Sequence, residues 1–245
     1  MKGTTVKPLR LVVLASGRGS TFAALLAAQL SGALPIDIRA VLADKRTAPV
    51  LGLAEDAGIA TVALRPRDFP DRIAFDRALF AQVALHAPDL IVLAGYMRII
   101  DASIVAKWRG RMINLHPSLL PKYPGLHTHQ LALAAADREH GASVHYVTEQ
   151  LDAGPLIAQV RMPVQVDDTA ETLAARLRPL EQRLLVAVVG LIASGRLAYA
   201  DAGLTLDGRT LAATLPFREV HTWWHPSLWA SEMDCFSGNE GSVVS

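Results

Sequence analysis

Asn114 and His116 stand two residues apart at the end of an apolar run, and Pro117 follows directly. In an extended chain that spacing puts both side chains on one face. Proline biases the residue before it toward extended backbone, which fixes the direction of the imidazole. An amide donor beside an imidazole could steady an oxyanion and manage a proton. The same spacing fits a hydrogen-bonded core histidine and a turn asparagine, and spacing alone leaves both readings open. Asp152 lies in Leu151-Asp152-Ala153-Gly154-Pro155, between two strand-like segments. Most aspartates before Gly and Pro are turn formers; a catalytic carboxylate is the sharper reading.

A second candidate is Ser16-Gly17-Arg18-Gly19-Ser20-Thr21, after a short apolar run and opening a helical pattern. Glycines there let the backbone approach an anion, and a helix N-terminus offers free N–H groups to a phosphate. No Gly-Lys-Ser/Thr follows, so this is not a Walker A loop. Phe22 stands where a dinucleotide fingerprint has its third glycine. A tight turn using glycine for geometry alone is the competing reading. His127-x-His129 and His140…His145 have no acidic or cysteine partner at ligand spacing, so no metal is expected. Ser118 lacks the Gly-x-Ser-x-Gly elbow of a serine hydrolase.

These residues need a scaffold. Leu11–Ala15, Ile38–Leu42, Thr61–Leu64, Leu90–Ala94 and Met112–Leu115 are short aliphatic runs that read as buried parallel strands. Helical patterns lie between them at Thr21–Leu30, Val50–Ala57, Arg72–His86 and Ala102–Lys107. Phe75, Leu79 and Val83 mark one face of the third. Such alternation predicts an α/β fold: a Rossmann-like, three-layer arrangement with a mostly parallel central sheet and helices on both faces.

After Leu115, Pro117, Pro121, Pro124 and Gly125 crowd a loop. A helix is expected over His129–Asp137, then strands at Ser143–Val147 and Leu156–Met162. A long helix should start near Asp168, where Asp168 and Glu171 have capping-box spacing, and Pro179 should kink it. Tyr199–Leu211, with Asp207-Gly208 at its centre, reads as a hairpin. Residues 8–215 are expected to form one domain, and 216–245, with Trp223, Trp224 and Trp229, stay unassigned.

Composition removes whole classes of function. With 51% hydrophobic and 19% charged residues, the chain is not intrinsically disordered. Its 24 Lys and Arg against 23 Asp and Glu give a net charge of +1, which argues against a nucleic-acid binder or a polybasic membrane protein. Cys235 is the sole cysteine, so there is no internal disulfide framework. The longest apolar run, Leu184–Ala193, has ten residues, where a bilayer crossing needs about 20. A soluble, cytoplasmic protein is expected, without membrane or nucleic-acid partners.

Taken together the motifs resemble one family. The run Asn114-Leu115-His116-Pro117-Ser118-Leu119-Leu120-Pro121-Lys122-Tyr123-Pro124-Gly125-Leu126-His127-Thr128-His129 resembles the signature of the 10-formyltetrahydrofolate-dependent formyltransferases. Ser16–Ser20, Ala94–Ile100 and Glu139–His145 agree with it in order, the last running on into Leu151–Pro155. The resemblance covers roughly Leu11 to Leu211. Within the family it points to members that formylate the amine of glycinamide ribonucleotide in purine biosynthesis.

The resemblance implies 10-formyltetrahydrofolate as co-substrate, no metal, small-molecule partners only, and a monomer or homodimer. By resemblance, Asn114 and His116 steady the tetrahedral oxyanion, while Asp152 keeps His116 protonated and assists proton movement. The ribonucleotide phosphate rests on Gly19, Ser20 and Thr21, with Glu181 as a further ribonucleotide contact. The folate lies against Met97, Arg98, Ile99 and Ile100, with Asn114 and the loop Thr148, Glu149, Gln150, Leu151 and Asp152. Arg72 is expected near its glutamate tail. The family's glycine loop reads Gly-Asn-Gly-Ser-Asn, whereas Arg18 and Thr21 stand here in place of the asparagines.

Relatives with the same trio are the alternatives. A methionyl-tRNA formyltransferase is expected to carry a further C-terminal domain and a basic balance. A formyltetrahydrofolate deformylase is expected to place a regulatory domain before the first strand, where ten residues precede Leu11. A nucleotide-binding regulatory module needs only the glycine turn and leaves Asn114, His116 and Asp152 unexplained. An NAD-dependent oxidoreductase fits the fold but not the glycine pattern.

Overall fold

The structure, a computed structural model, describes residues 7–200 and 203–217. Trp223, Trp224, Trp229 and Cys235 lie outside the described residues. The five aliphatic runs form β1 (Leu9–Ala15), β2 (Ile36–Ala43), β3 (Ala60–Ala63), β4 (Leu90–Leu93) and β5 (Met112–His116). All five run parallel, in the spatial order β3-β2-β1-β4-β5. Side chains alternate across the pleat, so each strand feeds two cores. Leu11, Val13 and Ala15 face α1 (Ser20–Leu30), α2 (Pro49–Asp56) and α6 (Ala170–Ala193). Val12 and Leu14 face α3 (Arg72–Leu85) and α4 (Ala102–Lys107). Fully buried rings such as Phe22 and Phe75 each contribute on the order of 2–3 kcal/mol.

Strand order reverses between β1 and β4, and open α/β sheets bind their ligands at such a point, beyond the carboxyl ends of the strands. Here the two outgoing loops are stitched together. Ser16 N–H donates to the Gly95 carbonyl at 3.1 Å. Met97 N–H donates to Ser16 Oγ at 3.1 Å.

The second half continues the sheet. β6 (Glu139–Tyr146) runs antiparallel to β5, and β7 (Leu156–Pro163) antiparallel to β6. In this register His145 lies opposite Asn114, and Ser143 opposite His116. A short edge strand, β11 (Leu215–Pro216), completes eight strands by pairing with β7. The mostly parallel sheet with helices on both faces matches the sequence expectation. No helix among the described residues is long and apolar enough to cross a membrane.

Three local expectations are corrected. The cap of α6 is not Asp168 with Glu171 but a reciprocal pair one residue on. Thr169 Oγ1 accepts from Thr172 N–H, and Thr172 Oγ1 accepts from Thr169 N–H. Asp168 instead binds Arg176, the Thr172 hydroxyl and the Gln165 N–H. The last segment is not one hairpin but a three-stranded sheet, β8 (Leu197–Ala200), β9 (Gly203–Leu206) and β10 (Arg209–Thr210). Asp207 and Gly208 turn between β9 and β10 with positive φ, as a tight hairpin turn requires. The helix expected over His129–Asp137 is α5, Thr128–Ala134, preceded by His127 in left-handed conformation. α6 runs through Pro179 as one helical element.

Candidate active site

Asn114 and His116 sit on the last turn of the pleat of β5, and the returning loop after β6 lays Asp152 across them. His116 Nδ1 is 3.5 Å from Asp152 Oδ2. Asn114 Nδ2 donates to Asp152 Oδ1 at 3.4 Å. Asp152 has φ +49°, a left-handed conformation uncommon for an L-residue. Gly154, two residues on, leaves no room for a side chain: a Cβ there would drive into the Tyr146 carbonyl oxygen. The turn reading and the site reading of Asp152 therefore hold together, because the turn aims the carboxylate.

The proline-rich loop after β5 closes over the other side. His116 Nε2 donates to the Tyr123 carbonyl at 2.9 Å. A carbonyl can only accept, so this bond fixes the Nε2 proton and turns Nδ1 toward Asp152. Gly125 N–H donates to Asp152 Oδ2 at 2.8 Å. The loop is held by groups absent from the sequence reading. Ser143 Oγ donates to the Ser118 carbonyl at 2.6 Å and accepts from Leu120 N–H at 3.1 Å. Gln159 Nε2 donates to the Leu120 carbonyl at 2.8 Å. Asp137 accepts from Lys122 Nζ and from the Tyr123 hydroxyl, both at 2.8 Å. Ser118 is fully buried, with its hydroxyl committed to the Lys122 carbonyl, so it offers no nucleophile.

His145 is the site residue that sequence reasoning missed. Its Nε2 lies 3.3 Å from Asn114 Nδ2 and 3.6 Å from Asp152 Oδ1. Its Nδ1 lies 2.9 Å from the Tyr146 carbonyl oxygen, so Nδ1 donates there and Nε2 is turned toward Asn114 and Asp152. The signal was the antiparallel register, which apolar runs do not encode. His140 instead meets His129, Nε2 to Nδ1 at 2.9 Å, away from the trio. Burial pushes the His140 imidazole down to about 4.

Electrostatics at the trio are finely opposed. Burial lowers the pKa of His116, and it outweighs the Tyr123 carbonyl bond and the Asp152 charge, which raise it. Burial works the other way on Asp152, but His145, the Gly125 N–H and the His116 charge together hold the carboxyl below its ordinary value. Asp152 thus acts on the His116 pKa in the direction the resemblance implies, upward, while burial opposes it with the larger effect.

Asn114, His116 and Asp152 line a cavity of about 470 Å³, a size that takes a small-molecule ligand. Met97, Arg98, Ile99 and Ile100 form one wall, and Thr148, Glu149 and Leu151 another. Met97, Ile99, Leu126 and Leu151 expose roughly half or more of their surface around it, an apolar rim suited to a flat ring. Gln150 and Arg72 do not line this cavity. Arg72 lies 4.0 Å from Asp101, behind the Met97–Ile100 wall.

The glycine loop lies beside the cavity. Gly19 caps α1 with φ +79°, and a Cβ there would meet Val50 Cγ2 at 2.5 Å. No side chain caps this helix, which leaves its first N–H groups for another acceptor such as an anion. Gln182 Nε2 donates to the Ser20 carbonyl at 3.2 Å, which docks α6 against the loop. The neighbouring Glu181 carboxyl is raised by burial to about 7, with Arg178 opposing weakly.

The formyl transferase family profile matches residues 9–189. The Escherichia coli K12 protein named phosphoribosylglycinamide formyltransferase is 43% identical over 203 residues, 83% of this chain and 96% of its own. A phosphoribosylglycinamide formyltransferase structure from Coxiella burnetii matches with a TM-score of 0.81 at 46% identity, over 86% of this chain and 99% of that one. A formyltetrahydrofolate deformylase structure from Pseudomonas syringae matches with a TM-score of 0.75 at 28% identity, over 81% of this chain and 66% of that one. The chain belongs to the formyl transferase family, alongside the phosphoribosylglycinamide formyltransferases.

Proposed function

We propose that this chain transfers the formyl group of 10-formyltetrahydrofolate to the amine of glycinamide ribonucleotide. The observation that carries this reading is the convergence of Asn114, His116 and Asp152 on one cavity wall, beside an uncapped glycine turn at the same sheet edge. The identities of 43% and 46% to enzymes of that name, against 28% for the deformylase, favour the ribonucleotide over water as acceptor. A net charge of +1 does not favour tRNA as the acceptor. Residues 8–215 then act as one domain, because the turn and the trio serve one reaction.

In this reading the apolar rim and the Met97–Ile100 wall take the folate, with Thr148–Asp152 opposite. The cavity fits a bicyclic ring, and backbone groups of the two loops meet its polar edge. The amine nitrogen attacks the formyl carbon, the carbonyl π-bond becomes an oxyanion, and collapse breaks the bond to N10. Asn114 Nδ2–H and the His116 Nδ1 position are the donors aimed at that oxygen. Negative charge growing there opposes the desolvation that lowers the His116 pKa, so the imidazole takes a second proton from solvent as the oxyanion forms and returns it on collapse. Asp152 takes a proton from the attacking nitrogen and passes it to the departing N10, which restores the carboxylate. The phosphate rests on the N–H groups of Gly19, Ser20 and Thr21, and Glu181 contacts the ribonucleotide from α6.

Calorimetry on Ser20→Glu tests the placement. A carboxylate near 4 Å from the phosphate should weaken ribonucleotide binding by roughly 10- to 100-fold. Folate binding should stay within about twofold, since Ser20 does not line the cavity. Equal loss of both ligands would mean misfolding, and unchanged ribonucleotide binding would remove the phosphate from this turn.

A further inference from the structure

One buried carboxylate plays no part in the chemistry. Asp76 lies on the inner face of α3 among Phe75, Leu79, Phe80 and Val83, and it is fully buried. A carboxylate there is costly unless its oxygens are paired. Only Oδ2 is: it accepts from the Asp101 N–H at 2.8 Å. Oδ1 has no partner.

Several of the groups that act on Asp76 belong to the folate wall or its ends. Arg72, Asp101 and Arg98 act electrostatically on Asp76. Asp76 and Asp44 act in turn on the Tyr96 phenol. Among the described residues Tyr96 Oη, Arg98 Nε and Asp44 Oδ1 are likewise buried without partners. Tyr96 precedes the wall, Arg98 is in it, and Asp101 follows it. The near end of the wall is held from β1, where Met97 N–H donates to Ser16 Oγ. The far end is held from α3, by Asp76.

We propose that Asp76 is a positioning residue for the folate co-substrate, its buried carboxylate fixing the far end of the Met97–Ile100 wall through the Asp101 N–H. The proposal rests on reading that wall as the folate surface. A purely structural role for the bond to the Asp101 N–H predicts loss of stability on removal and no selective loss of one ligand. A positioning role predicts the reverse. Without the carboxylate the wall can drift, and drift of about 1 Å is enough to weaken alignment substantially.

The test is steady-state kinetics on the full chain with both substrates varied, beside thermal melting. Asp76→Ala should raise the KM for 10-formyltetrahydrofolate about tenfold, with saturating kcat and the ribonucleotide KM within about threefold of wild type. Asp76→Asn keeps an acceptor for the Asp101 N–H and should recover most of the loss. If Asp76→Ala does not fold, Asp76→Glu carries the same test, because its carboxylate is displaced by one methylene and the same rise is expected. An unchanged folate KM overturns the proposal. So does a fall in kcat and melting temperature with both KM values intact, or an asparagine variant as impaired as alanine. Ile99→Ala, on the exposed rim of the wall, separates the two readings. If it leaves the folate KM unchanged, the folate wall itself is misplaced and the proposal falls with it. A normal response at Ile99 with a silent Asp76 overturns the anchor alone.

Discussion

Asp152→Asn should give a folded protein whose formyl-transfer kcat is lower by about three orders of magnitude. The substitution is nearly isosteric, and an asparagine oxygen can still accept from the Gly125 N–H that now meets Oδ2 at 2.8 Å. What disappears is the negative charge between His116 and His145. That charge raises the His116 pKa against the larger, opposing effect of burial, so its removal must lower the pKa further. An imidazole with a lower pKa is less able to hold a proton on Nδ1 when the oxyanion forms, and the proton carrier for the attacking nitrogen is lost as well. The rate loss should therefore deepen as pH rises from the variant's His116 pKa to that of wild type, both below the ordinary imidazole value, and level off above them. Titration of the His116 ring by NMR, with kcat at several pH values, reads both effects. A His116 pKa equal to that of wild type would break the link between the two residues, whatever the rate.

His116→Ala should lower kcat by roughly 100- to 1,000-fold, the loss expected for one oxyanion donor. Both KM values should stay within about threefold, because the Met97–Ile100 wall and the glycine turn are left in place. The ring is almost fully buried, so its removal leaves a void and frees the Tyr123 carbonyl. A modest fall in melting temperature is expected, without loss of the fold. If His116 and Asp152 act as a unit, the double variant should lose little beyond the worse single one. Multiplicative losses would show that they act in separate steps. Near-normal turnover by His116→Ala would remove it from the chemistry.

Much of this arrangement could be read from residue order. Apart from β3 at the sheet edge, which is only half-buried, the aliphatic runs are largely buried on both faces, and continuous runs of that kind mark parallel strands; all five appear within a few residues of their expected bounds. Asn114 and His116 could be placed on one face because a strand has a period of two, and Pro117 held the latter extended. The resemblance to the formyltransferases supplied what spacing could not, the choice of Asp152 over the other aspartates.

What stayed hidden depends on contacts distant in the chain. His145 looked like a partner of His140, five residues earlier, yet alternate faces of β6 send the two rings to different places. Ser143 and Gln159 hold the catalytic loop only because β6 and β7 run antiparallel beside β5. No local pattern announces that direction. The cap of α6 shows a different failure. Asp168 with Glu171 and Thr169 with Thr172 share one spacing, and which pair closes is settled by Arg176 drawing Asp168 away. The sign of the His116 shift was equally out of reach, because an adjacent carboxylate can be guessed from a motif but the depth of burial cannot.

The most direct measurement of the central claim is an acceptor competition followed by mass spectrometry. The full chain is given 10-formyltetrahydrofolate with glycinamide ribonucleotide, methionyl-tRNA and water present together. The formyl group should appear on the ribonucleotide amine, with one tetrahydrofolate released per product, and Asp152→Asn should nearly abolish it. Free formate as the main product, or formyl-methionyl-tRNA, would contradict the claim.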